Sequence, residues 1–278
     1  MPDHSVSSTR PQGAKDVLES VRATRFLKRM TTGRNAPVLL ETERSNGDFV
    51  EVVVKLPSAE CGPGGLVREA ICSMLAADLG LPIAEPFVVE FDQDFVDSIS
   101  SSEEKVRFKA GSSGFGCTHV VGMHIYPVAQ ALPLKLVDTA SDAFTFDGGV
   151  LNPDRLKIRP NCLTDGNSLL LIDHESALNV YGRGFLVIDP WTKDALKPLT
   201  KDDTEHLFFR GLHGQKHTND KIIEALAAVP AARVDSYMKA VPNEWDADWS
   251  IRKDISGYLT DLVANAKNLS IEVGSMLQ

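Results

Sequence analysis

The chain has 278 residues, of which 43% are hydrophobic and 24% are charged, and its formal net charge is −9 at pH 7. This length allows a large buried core, either in one domain with two lobes or in two modest domains. The acidic balance argues against a broad nucleic-acid-binding face, which needs clustered Lys and Arg, and no apolar run is long enough to span a bilayer.

The cysteines are scattered without a CxxC pair or a regular disulfide spacing: Cys61, Cys72, Cys117 and Cys162. No signal-peptide pattern opens the sequence, so we expect reduced thiols in a cytoplasmic protein. Cys117, His119 and His124 lie close enough in sequence to suggest a metal site, but they lack a complete ligand set.

The N-terminal part of the chain predicts a polar tail followed by a hairpin. Residues 1–15 are rich in Ser, Pro, Gly and charge, which is typical of a poorly ordered segment. Residues 16–30 fit either a short helix or an edge strand. Residues 38–41 and 49–56 are apolar segments on either side of Asn46-Gly47, which is a strong signal for a β-hairpin.

A helix and a further strand follow this hairpin. Residues 57–65 are predicted to be a flexible loop because of their Gly and Pro content. Apolar residues at helical spacing predict a helix over residues 66–79, which Gly80 ends. Residues 87–91 predict a strand whose end would be the crossing point between two lobes.

Two charged residues in this part have a structural and a functional interpretation. Lys55 lies late in the second strand of the hairpin, where a lone Lys is usually solvated at an edge but could also bind phosphate at a fixed depth. Glu69 lies in the first turn of the predicted helix. It either interacts with the helix dipole or forms an ion pair that fixes Lys55.

The middle of the chain combines residue types that suit phosphoryl transfer. Asp154 lies in a polar loop, Asn161 follows it, and after a short hairpin the apolar residues 169–172 end in Asp173. An Asp that orients a hydroxyl, an Asn that binds metal and a second Asp that completes the metal site have this order. Carboxylate and amide oxygens are ligands that Mg²⁺ prefers. Asn-Pro-Asp is also common in ordinary turns, but polar residues directly after a buried strand are costly unless they are paired.

The remainder of the chain is predicted to be mainly helical. Residues 108–126 contain several glycines and fit a loop. Residues 220–228, 231–240 and 251–268 carry apolar residues at helical spacing. A strand-rich first part and a helical second part predict an α+β fold with two unlike lobes and the site between them.

Several short motifs in this order resemble those of a known family: Val53-Val54-Lys55-Leu56, Leu66-Val67-Arg68-Glu69-Ala70, Leu79-Gly80-Leu81-Pro82, Phe146-Asp147, Asn152-Pro153-Asp154-Arg155, Pro160-Asn161-Cys162-Leu163, Leu171-Ile172-Asp173-His174 and Pro242-Asn243-Glu244-Trp245. They extend over most of the chain. Their order and spacing resemble the HipA-like kinases, most closely the compact branch without the extra N-terminal subdomain of the longer HipA toxins.

This resemblance implies a bilobal protein-kinase-like fold. A small β-rich N-lobe that covers the nucleotide would span residues 32–92, after an N-terminal extension of residues 1–31, and a mainly helical C-lobe would span residues 93–278. The implied site residues have the following roles: Lys55 contacts the phosphates of ATP and pairs with Glu69, Glu90 helps to bind the nucleotide, Asp154 orients the acceptor hydroxyl, and Asn161 and Asp173 hold Mg²⁺.

The chain also departs from the family pattern. The family often has Asn-Pro-Asn where this chain has Arg159-Pro160-Asn161, so the amide ligand is Asn161 alone. No GxGxxG loop is present, and either residues 32–35 or residues 62–65 would cover the phosphates. Arg155 would support the loop, bind a phosphate or form a surface ion pair, and His174 would be a supporting residue. The Ser-containing regulatory loop of the longer toxins has no clear counterpart.

The function implied by the resemblance is that of an ATP- and Mg²⁺-dependent Ser/Thr protein kinase. Its expected context is a toxin or effector with a protein substrate and an antitoxin or regulatory partner. A small-molecule kinase on the same fold is an alternative, because an acceptor Asp does not reveal whose hydroxyl it orients. A silent nucleotide-binding scaffold is the other alternative, but a scaffold would not need this whole set of residues.

Overall fold

The computed structural model describes residues 18–30, 35–181 and 187–278. Strands in its N-terminal part form a closed barrel, and their bounds are β1 Glu19–Arg29, β2 Val38–Glu43, β3 Phe49–Lys55, β4 Pro86–Phe91 and β5 Ser112–Thr118. The order around the barrel is β1-β2-β3-β5-β4. The closing pair β1 and β4 is parallel, whereas the other neighbours are antiparallel. The hairpin predicted around Asn46-Gly47 is therefore confirmed as β2 and β3.

The narrow interior of this barrel explains why β5 contains glycines. Side chains of Val52, Val54 and Val89 fill the interior. A Cβ atom at Gly116 would lie 2.4 Å from Cγ1 of Val52 and 2.6 Å from Cγ2 of Val89, closer than such atoms approach. The loop predicted for residues 108–126 is thus wrong over its centre. Small residues there allow β5 to lie in the barrel wall against a crowded interior.

Helices and a second sheet make up most of the remaining chain. The helices that the structure describes are α1 Gly62–Asp78, α2 Gln93–Ser98, α3 Ser102–Lys105, α4 Val137–Gly149, α5 Phe209–Leu212, α6 Asp220–Ala227, α7 Ala231–Ala240, α8 Ser250–Ala264 and α9 Ala266–Leu277. The second sheet has the order β6-β7-β8, with bounds His124–Ile125, Cys162–Thr164 and Leu169–Leu171. Within the described ranges, no helix has both the length and the apolar character needed to cross a membrane.

Helix α1 begins earlier than the sequence predicts. It starts at Gly62, so the predicted loop of residues 57–65 ends in its first turn. Glu69 therefore lies about two turns into the helix, too far from the N-terminus for the helix dipole to explain it. The helix is buried over most of its length and belongs to the larger apolar core, which it shares with the C-terminal helices.

The barrel extends beyond the boundaries predicted for it, residues 32–92. Strand β1 lies in the predicted N-terminal extension, and β5 lies in the predicted C-lobe. The chain does not leave the barrel at the end of β4, because β5 returns antiparallel to β4 and departs after Thr118. The predicted crossing point is therefore wrong. Farther along, the helix predicted over residues 251–268 is two helices, α8 and α9, which meet at Asn265.

Candidate active site

A cavity of about 790 Å³ lies between the barrel and the sheet β6-β7-β8. Its wall includes apolar side chains from both parts of the molecule: Val53, Ile83, Phe115, Leu163 and Leu171. All but one of the predicted site residues line it: Lys55, Glu69, Asp154, Asn161 and Asp173. The fold thus brings together polar groups that are as far as 118 residues apart in sequence.

The ammonium group of Lys55 lies among three carboxylates. Its Nζ donates hydrogen bonds to Glu69 Oε2 at 2.8 Å, to Asp173 Oδ1 at 2.7 Å and to Glu175 Oε2 at 2.8 Å. Lys55 ends β3, Glu69 belongs to α1 and Asp173 follows β8, so one cation joins three elements. An ammonium group has three donors, and here each has a carboxylate partner. Because the side chain is only 14% exposed, this Lys is not a solvated edge residue.

Burial and ion pairing act in opposite directions on this cluster. Burial alone lowers the pKa of Lys55, but the three carboxylates outweigh it and raise the pKa well above its ordinary value of 10.5. Burial raises the pKa of Glu69, whereas Lys55 and a hydrogen bond from His174 lower it, and the net pKa is well below the ordinary range. Burial is also the main reason why the pKa of Glu175 is raised. Lys55 and Glu69 therefore form an ionised pair.

The guanidinium group of Arg155 joins the loop that contains Asn161 to the loop that contains Asp173. It is fully buried and forms a two-point ion pair with Asp147, with Nε 2.5 Å from Oδ2 and Nη2 3.2 Å from Oδ1. Its Nη1 donates to the carbonyl oxygens of Asn161 and Ile172. Arg155 thus fixes the backbone directly before Asp173 and at Asn161. The surface ion pair considered from the sequence is wrong, and loop support is the role that fits.

His174 connects this support to Glu69. Its Nε2 lies 2.9 Å from Nη2 of Arg155, and because a guanidinium can only donate, Nε2 is the acceptor. The ring proton of neutral His174 is therefore on Nδ1, which lies 3.8 Å from Oε1 of Glu69. The backbone N–H of His174 donates to Glu69 Oε2 at 2.8 Å. His174 has the supporting position that the sequence predicts.

Asp154 is held in place by its neighbours in the loop after α4. The amide nitrogen of Asn161 donates to the carbonyl oxygen of Asp154 at 3.0 Å and to its Oδ2 at 3.3 Å. The backbone N–H of Asp154 donates to Oδ1 of Asn152 at 3.1 Å. Nη1 of Arg159 donates to Oδ1 of Asp154. The carboxylate of Asp154 is 15% exposed, so it is oriented yet reachable from the cavity.

Asn161 and Asp173 have the chemistry that a magnesium ion requires. Both line the cavity, and the backbone N–H of Ile172 donates to the carbonyl of Asn161, so the two loops run side by side. Because the amide nitrogen of Asn161 is bonded to Asp154, its Oδ1 is the atom that can serve as a ligand. Both residues adopt positive φ, 43° and 64°, a strained conformation that typically persists at functional sites. These residues therefore fit a hard divalent cation.

Three carboxylates form a second set of side chains that could bind a metal ion. Oxygens of Glu69, Asp173 and Glu175 lie within 4.8 Å of one another. Lys55 donates a hydrogen bond to each of these side chains, so its ammonium already lies among the three carboxylates and offsets part of their negative charge. Asp173 is common to both sets and is the residue that a cation and Lys55 would share.

Glu90 is the predicted site residue that the structure does not bring to the cavity. It lies on β4 with an exposed side chain and is not among the residues that line the cavity in the described ranges. Its neighbours Val89 and Phe91 face the barrel interior, so the alternation of the strand directs Glu90 outward. Residues 117–120, which follow or end β5, line the cavity instead.

The remaining candidates, Cys117, His119 and His124, also line the cavity. Nδ1 of His119 pairs with Glu51 at 3.0 Å, and Cys117 lies in β5. The described residues place neither of them, nor His124, in a metal-binding group. The four cysteines are free. Of residues 32–35, one of the segments predicted to cover the phosphates, only Asn35 lies within the described residues, and the other segment is the first turn of α1.

Sequence reasoning missed residues that complete the site. Glu175 is the third carboxylate on Lys55, and its other oxygen accepts a hydrogen bond from Asn35, whose Oδ1 accepts from the N–H of Cys61. Asp147 is the buried partner of Arg155. The run Asp173-His174-Glu175 after a buried strand was a signal for Glu175, because an acid two residues after the metal-binding Asp can face the same way. Nothing local pointed to Asn35.

The chain is similar to known proteins in sequence and in fold. A family model described as HipA-like kinase matches residues 23–264. No curated protein matches the chain. A similar solved structure is the Helicobacter pylori proinflammatory kinase CtkA, with 13% identity, 92% of this chain and 97% of that chain covered, and a TM-score of 0.51. The Golgi casein kinase is similar with Mn/ADP bound, at 10% identity, 91% and 74% coverage and a TM-score of 0.42.

The likeness to CtkA shows the fold alone, which is that of a kinase, and the protein is α+β with a β-rich N-terminal part. The family match is independent of that likeness and covers most of the sequence. It includes each residue of the cluster around Lys55 and the loop of Asp154. The chain therefore belongs to the HipA-like kinase family.

Proposed function

We propose that this kinase uses ATP and Mg²⁺ to phosphorylate Ser or Thr hydroxyls of a protein. The observation that carries the proposal is the convergence of Lys55, Glu69 and Asp173 with Asp154 and Asn161 in one cavity. The barrel would act as an N-lobe over the nucleotide and the helical part as a C-lobe beneath it. Phosphoryl transfer depends on positioning and charge neutralisation more than on covalent chemistry, and this residue set supplies both.

The roles of the residues follow from their contacts. Lys55, oriented by Glu69, would bind phosphate oxygens of ATP, and this requires it to release Asp173 or Glu175. Asn161 and Asp173 would hold Mg²⁺, which when bound neutralises negative charge on the phosphates. Asp154 would accept the proton of the acceptor hydroxyl as the oxygen forms its bond to the γ-phosphorus. The bond between that phosphorus and the β–γ bridging oxygen breaks, and ADP leaves.

The protein acceptor is proposed on the basis of the family and not of a contact in the cavity. The two other readings of the sequence differ in how well they fit. A silent scaffold would not need a buried Lys with three carboxylates, since such a cluster costs free energy to desolvate. A small-molecule acceptor would use the same residues, so only the identity of the labelled product separates it from a protein acceptor. A toxin or effector role with an antitoxin partner remains part of this proposal.

A thermal-shift measurement tests the binding of the nucleotide. ATP with Mg²⁺ at about 100 times its Kd should stabilise the wild type by about 2.7 kcal/mol, which corresponds to a rise in Tm of about 5 °C or more. Asp173→Ala should abolish most of this rise, because it removes the carboxylate of the metal site. Asp202→Ala is a matched control, because that Asp is 89% exposed and is not among the described residues that line the cavity. A wild type whose Tm does not respond to ATP and Mg²⁺ would contradict the proposal.

A further inference from the structure

The structure places a cation, the guanidinium of Arg159, beside Asp154, the proposed catalytic carboxylate. Arg159 donates from Nη1 to Oδ1 of Asp154, and both side chains line the cavity. The backbone of Arg159 is fixed by two hydrogen bonds with Leu156, at 2.9 and 3.1 Å. On its other side the loop is fixed by the bond from Asn161 to the carbonyl of Asp154. The loop backbone is thus fixed on both sides of the ion pair between Asp154 and Arg159.

The guanidinium of Arg159 still has donors to offer. Its side chain is 46% exposed, and in the part of the chain that the structure describes its ion pair uses one nitrogen, Nη1, on Asp154. A guanidinium has five N–H donors in a planar fork that matches two oxygens of a phosphate. Arg159 can therefore hold Asp154 and bind an anion in the cavity at the same time.

The charges of the cavity favour an anion-binding role for Arg159. Its described lining includes four carboxylates, Glu69, Asp154, Asp173 and Glu175, and two side chains of Lys or Arg, Lys55 and Arg159. The donors of Lys55 are all bonded to carboxylates. Next to Asp154, the outer end of a triphosphate would face the negative charge of that carboxylate, and a cation between the two would reduce the repulsion in addition to Lys55 and Mg²⁺. Arg159 is the cation at that position.

We propose that Arg159 binds the γ-phosphoryl group of ATP while it holds the carboxylate of Asp154, and so positions both groups for transfer. This inference rests on the proposed function. It concerns a residue in which this chain departs from its family, which often has Asn at the corresponding position. The competing interpretation is an ion pair that only orients Asp154 and does not touch the nucleotide.

Two nucleotides distinguish these interpretations without knowledge of the acceptor. The experiment measures the Kd of ADP and of β,γ-imido-ATP, each with Mg²⁺, for the wild type and for Arg159→Asn and Arg159→Lys. Hydrogen bonds to a charged group are strong enough that Arg159→Asn should weaken the binding of β,γ-imido-ATP about tenfold or more, with the Kd of ADP changed less than about twofold. Arg159→Lys keeps the charge but loses the fork, so its effect should be intermediate.

Arg25→Gln is the matched control, because Arg25 is an exposed residue that pairs with Glu41 and does not line the cavity. It should leave both dissociation constants unchanged. The inference is overturned if Arg159→Asn alters both constants equally or neither of them. A wild type that binds neither nucleotide would instead reject the proposed function, so the two failures have different signatures. Unchanged ADP binding also shows that the variant is folded.

Discussion

Buried residues that do not line the cavity hold the backbone of its loops in place. Asp147 has no exposed side-chain surface, and it accepts hydrogen bonds from Arg155, from Nδ2 of Asn152 at 2.7 Å and from Nε2 of His206 at 3.0 Å. Burial would raise the pKa of Asp147, but Arg155 and His206 lower it well below its ordinary value of 3.8. A buried charge of this kind is costly unless it is fully paired. The backbone around Asp154 and Asn161 thus depends on a carboxylate that is fully buried and does not line the cavity.

His206 makes the stability of this support sensitive to pH. Its Nδ1 accepts from the N–H of Phe208 at 3.2 Å, so Nε2 carries the proton that bonds to Asp147 and the ring is neutral. Burial lowers the pKa of His206 below its ordinary value of 6.5, although Asp147 partly opposes this. The unfolded chain therefore binds the proton more readily, and the free energy of unfolding falls as the pH drops below about 6.5. Asp147 adds a second loss below its ordinary pKa of 3.8, because its carboxylate is ionised in the fold.

Urea unfolding between pH 7.5 and pH 5 measures the first effect. His206→Gln should lose less stability than the wild type over this range, since it lacks the group that must stay neutral. His213→Gln, at an exposed position, should follow the wild-type curve. Equal losses in His206→Gln and the wild type would show that His206 is not the titrating group.

At the scale of elements, local signals were sufficient for some parts of the fold and misleading for others. The hairpin of β2 and β3 and the helix α1 follow from an Asn-Gly turn and helical apolar spacing, both of which are short-range. Strand β5 was missed because its glycines resemble a loop, whereas they are required by side chains from β3 and β4 that only the closed barrel brings near. The cluster at Lys55 was predictable as a pair with Glu69. Glu175 was missed although the polar run after β8 pointed to it, and Asn35 was not predictable because its contact with Glu175 depends on tertiary packing.

A pair of identical substitutions tests why β5 contains glycine. Gly116→Ala should lower the free energy of unfolding by about 1–3 kcal/mol, because the added methyl group overlaps with Val52 and Val89 in the barrel. Gly257→Ala, at an exposed position of α8 with nothing within 4 Å of the new atom, should raise it by about 0.5–1 kcal/mol through helix propensity. Chemical denaturation of the two variants gives both values. Gly116→Ala with wild-type stability would contradict the barrel packing.

In the whole molecule, the cavity depends on how the barrel meets the helical part. Glu244, in the segment between α7 and α8, accepts hydrogen bonds from the N–H of Ser113 at 2.7 Å and from its hydroxyl at 2.5 Å. The indole N–H of Trp245 donates to the carbonyl of Ser113 at 3.3 Å. These contacts join the start of β5 to residues 131 or more positions away. The Pro-Asn-Glu-Trp motif thus anchors β5, whose other end lines the cavity.

Transfer of label from ATP tests most directly whether these parts form a kinase. Wild-type protein, incubated with γ-labelled ATP, Mg²⁺ and a protein lysate, should label proteins. Asp154→Ala should transfer label at least about a hundredfold more slowly, since it lacks the base for the acceptor hydroxyl. ATP with Mg²⁺ should still raise the Tm of this variant as it does for the wild type. Label found only in small molecules would contradict the protein acceptor. Transfer at the wild-type rate by Asp154→Ala would contradict the catalytic assignment.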